Sequence, residues 1–176
     1  LMTLVYAIVC PFILRSGPDH YVTYIVIGIL PWNFFTTVIS QGTFTILGNA
    51  GIIKKVYFPR EILPISVATS GLVNFLISIP IIFIFLIFSG IGFSWNLLFL
   101  PLVILAQYIL SLAIIFITSA INVYIRDAEY IINFLVQMLF YATPILYSSD
   151  LFGSKAWILN FNPMTTIINS YRDILY

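Results

Sequence analysis

The sequence predicts an all-α, polytopic membrane protein, and three observations carry that reading. Hydrophobic residues make up 61% of the 176 and charged residues only 7%, where a soluble domain carries roughly a quarter. Mean hydropathy is +1.10. Residues 62–125 form an unbroken run of 64 without one Lys, Arg, Asp, Glu or His. An amphipathic element of a soluble fold needs a solvated face, whereas a bilayer requires such runs, about 20 apolar residues per crossing. Third, the few charges are gathered: four of the thirteen lie at Lys54, Lys55, Arg60 and Glu61, with long neutral stretches on both sides.

Taken in order, residues 1–14 are apolar but too short to cross alone, and read as half of a first span. The chain begins at Leu1 inside that segment, without an initiator Met, which reads as a fragment. Residues 15–20 are a turn cluster. A second span follows from Tyr21 to about Leu47, with Pro31 inside it, beside Trp32, Asn33, Phe34 and Phe35. Gln41, Thr43 and Thr45 make its later part more polar, as suits a helix facing other helices or a cavity. Leu63 to Phe88 is the third span, with Ser66, Thr69, Ser70 and Asn74 in its first half. Residues 89–96 make a turn, Leu97 to Tyr124 a fourth span, and Ile131 to Tyr147 a fifth, with Pro144 near its far end. Asn162 as N-cap and Pro163 at the first helical position predict an amphipathic or re-entrant helix over residues 163–176 rather than a span.

The island between the second and third spans has its own pattern. Ile52, Ile53, Val56 and Tyr57 fall on one helical stripe, with Lys54 and Lys55 on the other side. Gly48, Asn49 and Gly51 can break the preceding helix, and Asn49 is a candidate N-cap for a short one. The basic residues could serve only as topology anchors, but an apolar stripe beside them also suits docking onto a cytoplasmic partner. The two charged islands hold Lys54, Lys55, Arg60 and Arg126, against Arg15, Lys155 and Arg172 on the other side, so the islands are placed in the cytoplasm.

Several chemistries find no support. No Gly-x-x-x-x-Gly-Lys-[Ser/Thr] loop is present, so ATP hydrolysis is not expected of this chain. A net charge of +1 and no basic cluster argue against a nucleic-acid partner. One cysteine, Cys10, and one histidine, His20, offer no disulfide framework or metal site, and no cofactor is expected. Asp127 and Glu129 beside Arg126 read as a solvated loop with a local ion pair rather than a catalytic cluster. The aromatic content, 17%, is high; rings with nearby Asn and Gln inside a span suit a carbohydrate path, and helix packing is the plainer use of any one of them.

The runs Leu30-Pro-Trp-Asn-Phe-Phe35 and Asn49-Ala-Gly-Ile-Ile-Lys-Lys-Val-Tyr-Phe-Pro-Arg-Glu-Ile-Leu-Pro64 resemble the permease subunit of bacterial polysaccharide ABC exporters. These are type-2 permeases that export O-antigen, teichoic acid and capsule chains. Asn122-Val-Tyr-Ile-Arg-Asp-Ala-Glu-Tyr130, Phe140-Tyr-Ala-Thr-Pro-Ile-Leu-Tyr147, Asn162-Pro-Met-Thr165 and Tyr171-Arg172-Asp173 resemble the same family, in the same order. The resemblance implies one permease domain over residues 1–176, a family pattern of six spans of which about five stand here, and a bacterial inner-membrane location. It implies a homodimer, a separate ATPase subunit and a lipid-linked glycan substrate. It assigns ATPase coupling to Asn49, Ile52, Ile53, Lys54, Lys55, Val56, Tyr57, Arg60 and Glu61, within a loop at about 48–61. Since spans one, two and five line the family's path, it points to Trp32, Phe34, Phe35 and Tyr141 as the glycan path, and makes residues 157–176 external re-entrant structure. The rivals are a type-2 exporter of a drug or lipid, and an intramembrane enzyme acting on a lipid-linked sugar through Asp127 and Glu129.

The topology is open to direct test. Single cysteines at Ser94 and Lys55, with Cys10 removed, should react with impermeant thiol reagents from opposite membrane faces; reaction from one face would refute the arrangement.

Overall fold

A computed structural model describes residues 21–53, 59–88, 95–125, 127–145 and 162–175. The expected half-span at residues 1–14 and the external segment at 148–160 lie outside these. The described elements are α1 (Tyr21–Gly48), a single turn α2 (Ala50–Ile53), α3 (Ile62–Phe88), a 3-10 turn (Trp95–Phe99), α4 (Leu100–Tyr124), α5 (Ala128–Ala142) and α6 (Pro163–Leu175). No strand occurs among the described residues. Three of the helices, within Thr23–Gly48, Ile62–Ile87 and Trp95–Tyr124, are long and apolar enough to cross a membrane.

The centre of the bundle is α1, which touches every other described helix. It is 72% buried over its most apolar window, against 17% for α3 and 28% for α4, so α1 is the core and the other two are its outer walls. On α3, Val73, Leu76, Ile77, Ile84 and Ile87 point outward, and on α4 Leu102, Leu105, Ile109 and Ile117 do the same, as lipid-facing surfaces should. Lipid is as apolar as leucine, so close packing and hydrogen bonds hold these helices rather than the hydrophobic effect. Two glycines permit the approach. A Cβ at Gly71 would collide with Val38 Cγ2, and one at Gly42 would sit 2.9 Å from Ile115 Cβ. Both crossings lie on α1.

Helix α5 is shorter than the sequence suggested. Its 15 residues, at 1.5 Å each, reach about 22 Å, where the expected span ran on to Tyr147. Pro144 explains the difference. It excludes Thr143 from the helical region, and Thr143 is extended at φ −99°, ψ 132°. The tight turn that follows is closed by Ile145 N–H donating to the Thr143 carbonyl at 2.7 Å.

Helix α6 is amphipathic, with Met164, Thr165, Ile168, Tyr171, Arg172 and Leu175 buried at three- and four-residue spacing. Its start follows the sequence expectation: Asn162 Oδ1 accepts from Met164 N–H at 3.0 Å, and Pro163 needs no donor partner. The same side chain donates through Nδ2 to Thr143 Oγ1 at 2.8 Å. Arg172 is buried against the end of α5, donating from Nη1 to the Pro144 carbonyl (2.6 Å) and from Nη2 to the Ile145 carbonyl (2.9 Å). Its guanidinium also lies 3.6 Å from the ring centroid of Tyr24 on α1.

Asn49 departs from expectation. Rather than capping α2 with its side chain, it donates from Nδ2 back to the Thr45 carbonyl at 2.8 Å, while its own carbonyl accepts from Ile53 N–H. Its side chain closes α1, while its backbone carbonyl opens α2.

A buried relay joins three helices. Tyr171 Oη donates to Gln107 Oε1 at 2.8 Å, and Gln107 Nε2 donates to the Pro31 carbonyl at 2.8 Å. Gln107→Leu would orphan the tyrosine hydroxyl, and should cost the detergent-solubilised full-length protein about 1–2 kcal/mol. Adding Tyr171→Phe should cost little more, because the orphan is then gone. Thermal unfolding of the two single variants and the double variant checks this; fully additive losses would refute the relay.

Candidate functional site

Four residues of α1 and four of α5 face one another across a cleft of about 410 Å³. From α1 come Ile29, Trp32, Asn33 and Thr36, and from α5 Val136, Gln137, Phe140 and Tyr141, each set on one helical face. The rings form a chain. Trp32 lies 5.7 Å from Phe140, and Phe140 meets Tyr141 edge-on at 5.4 Å. Behind them Phe35 backs Trp32 at 5.6 Å. Trp32 is buried to 5% exposure while Tyr141 stands 75% exposed, so the wall runs from an anchored ring to an open one. Asn33 and Gln137 are exposed beside them. The Thr36 hydroxyl is buried and has no hydrogen-bond partner among the described residues.

A smaller cavity, about 150 Å³, lies on the other side of Asn33, between α1 and α3. Leu30, Asn33, Phe34 and Thr37 line it from α1, and Gly71, Asn74, Phe75 and Ser78 from α3. Asn33 borders both spaces, so α1 presents one open face between two walls. Asn33, Thr37 and Gln41 follow each other along that face at four-residue intervals, all exposed. Asn33 is twelve residues from the start of α1 and Asn74 twelve from the start of α3, each about 18 Å along its helix and close to mid-depth. Exposed amides at that depth are costly against acyl chains, which marks the face as one that meets something polar.

The aromatic residues expected to form a path thus separate. Trp32 and Tyr141 meet in the cleft. Phe34 lines the smaller cavity and packs on Phe75 at 5.4 Å. Phe35 lines neither and is core packing. Phe140, Thr36, Thr37, Asn74 and Gln137 were not singled out by sequence reading as lining residues. The four-residue spacing of Asn33–Thr37–Gln41 and Asn74–Ser78 was the available signal. Thr43 and Thr45 are buried among helices, while Gln41 is exposed.

In the island after α1, Ile53 is half-buried and Arg60 and Glu61 are exposed. The Pro59 and Arg60 carbonyls accept from Ile62 and Leu63 N–H, which starts α3. Lys54, Lys55, Val56 and Tyr57, with the side chain of Ile52, lie outside the described residues, and so does Arg126. Asp127 and Glu129 stand at the start of α5 and border neither cavity.

Comparison with known proteins agrees with this architecture. Residues 1–176 match the family model described as ABC-2 type transporter. Two O-antigen export system permease proteins of Klebsiella pneumoniae are each 33% identical to the chain, over 179 and 176 residues, covering 99% of it and 68% of the relative. An O-antigen export system permease protein of Myxococcus xanthus is 32% identical over 179 residues, covering the whole chain and 69% of the relative. With three span-length helices packed as one bundle and a match over its full length, this multi-pass membrane chain belongs to the ABC-2 type transporter family.

Proposed function

We propose that the protein is the membrane-spanning subunit of an ATP-driven exporter that moves a lipid-linked polysaccharide of the O-antigen class across the bacterial cytoplasmic membrane. The observation that carries this reading is the cleft between α1 and α5, where Trp32, Phe140 and Tyr141 stand beside the amides of Asn33 and Gln137. A sugar ring has an apolar C–H face that rests on an aromatic ring, and a rim of hydroxyls that exchange hydrogen bonds with amides. Such a surface holds successive sugars without fixing any of them. The relatives bear the name of O-antigen export permeases, which supports the same substrate class.

These 176 residues hold no phosphate-binding loop, and we assign ATP hydrolysis to a separate ABC subunit. That subunit docks on the cytoplasmic island, with Ile52, Ile53, Val56 and Tyr57 as the apolar contact and Asn49, Lys54, Lys55, Arg60 and Glu61 around it. Two copies of the permease associate, and the open face of α1 with its α3 and α5 walls lines the path between the membrane faces. Closure of the ATPase pair pulls on the island and moves α1 relative to α5. Deleting the gene in the source organism should strip the glycan from the cell surface and leave lipid-linked glycan at the inner leaflet. Unchanged surface glycan with a lost drug or lipid export phenotype would overturn the substrate class.

Two mutational outcomes distinguish the roles assigned. In the full-length complex, Tyr141→Ala and Trp32→Ala should lower glycan export at least tenfold, about 1.4 kcal/mol, with ATP hydrolysis within about twofold of normal. Phe35→Ala should instead show itself as lost thermal stability, about 3 kcal/mol, because that ring is packing alone. Equal behaviour of all three variants would remove the distinction between lining and core. At the island, Val56→Asp should abolish copurification with the ATPase while leaving the melting temperature of the permease within a degree or two. Intact copurification and export would reduce this stretch to a charge anchor.

A further inference from the structure

The amide of Asn122, fully buried near the end of α4, joins three helices at once. Its Nδ2 donates to the Thr43 carbonyl on α1 at 3.1 Å. Its Oδ1 accepts from Glu129 N–H, in the first turn of α5, at 3.1 Å. The second bond replaces one that α5 lacks: Asp127, at the N-cap position, makes no side-chain capping bond of its own, so an orphan amide of the helix start is satisfied from seven residues away. Around Asn122 lies a polar layer. The Thr43 and Thr118 hydroxyls, on α1 and α4, are hydrogen-bonded at 3.0 Å, and Ser40 Oγ on α1 donates to Asn133 Oδ1 on α5 at 2.6 Å.

We propose that Asn122 is a positioning residue that transmits movement of the cytoplasmic island, through the end of α1, to the α5 wall of the cleft. The inference rests on the export reading above. Thr43 lies five residues before Gly48, where α1 gives way to the island, so a displacement there reaches Thr43 through barely more than one helical turn. Along α5 the buried residues are Ala128, at its start, and Val136, with Ile132 and Phe140 packed partly against the core, so side-chain packing fixes it sideways only weakly. Its position depends on its two fixed ends: the Asn122 layer at one, and the turn at residues 143–145, held by Asn162 and Arg172, at the other. A push on the first end pivots the helix about the second, and Gln137, Phe140 and Tyr141 swing with it. A hydrogen-bonded amide suits this task, because it holds both helices by their backbones regardless of side-chain rotamers.

The test uses the full-length permease with its ATPase in the source organism and in purified membranes. Asn122→Asp keeps the acceptor for Glu129 N–H and loses the donor to Thr43; Asn122→Leu loses both. Both should retain copurification with the ATPase and hydrolyse ATP within about twofold of normal. Glycan delivered to the cell surface per ATP hydrolysed should fall at least tenfold in the Leu variant and at least threefold in the Asp variant. Ser40→Ala, which removes the neighbouring α1–α5 bond, should act in the same direction more weakly. A variant whose melting temperature falls while its glycan-to-ATP ratio is unchanged would show a purely structural cap and overturn the proposal, as would a normal ratio in Asn122→Asp at normal stability. Val56→Asp and Trp32→Ala run alongside: normal export in both overturns the export reading itself, whereas loss in both with normal Asn122 variants overturns only this inference.

Discussion

The Gln107 side chain sets the geometry of this bundle more than any apolar contact does. Its amide spans from the Tyr171 hydroxyl on α6 to the Pro31 carbonyl on α1, from a position on α4 with no exposure at all. In a bilayer interior no water stands ready to replace a lost partner, so each of these groups is committed to the others. The consequence is register. Pro31 is the residue before Trp32, and fixing its carbonyl fixes the turn that presents Trp32 and Asn33 to one side and Phe34 to the other. Tyr171 is next to Arg172, which grips the two carbonyls just beyond α5. Two adjacent residues of one short amphipathic helix therefore locate both walls of the cleft.

That arrangement also explains why the cleft is open. Helix α1 uses three of its sides on α3, α4 and α6, with Gly42 and Gly71 drawing the first two contacts tight. Helix α5 meets it mainly through Val136, the Trp32–Phe140 ring contact and the Ser40–Asn133 bond, and cannot close over its remaining side. Asn33, Thr36 and Gln137 share the resulting gap with its aromatic and aliphatic lining.

Much of this was legible in the sequence, for reasons that are physical. Charge-free runs fixed the helices α1, α3 and α4, and the Asn162–Pro163 pair fixed the start of α6, since a cap and a missing donor have few other uses. The features that escaped were those decided by partners distant in the chain. Arg172 reads as a solvated charge helping to set topology, yet it is buried against backbone carbonyls 27 and 28 residues away. Asn49 reads as a cap for the short helix α2, yet its side chain turns back to Thr45. Trp32, Phe34 and Phe35 are equivalent rings in a list of residues, and only the angular step of a helix sends them into a cleft, a second cavity and the core. Pro144 was visible, but the residues it would remove from α5 depended on how tightly the turn after it was held.

The shortness of α5 has a consequence for the membrane itself. A helix of about 22 Å is some 8 Å shorter than the hydrocarbon core of an ordinary bilayer. Lipids beside a short apolar surface thin to match it, at a fraction of a kcal/mol per Å, while the outward faces of α3 and α4 are long enough to demand full thickness. The protein is thus asymmetric towards its solvent. A bilayer thinned to match α5 would bring its two headgroup layers closest together beside the cleft, so that a polar group would have its shortest crossing there.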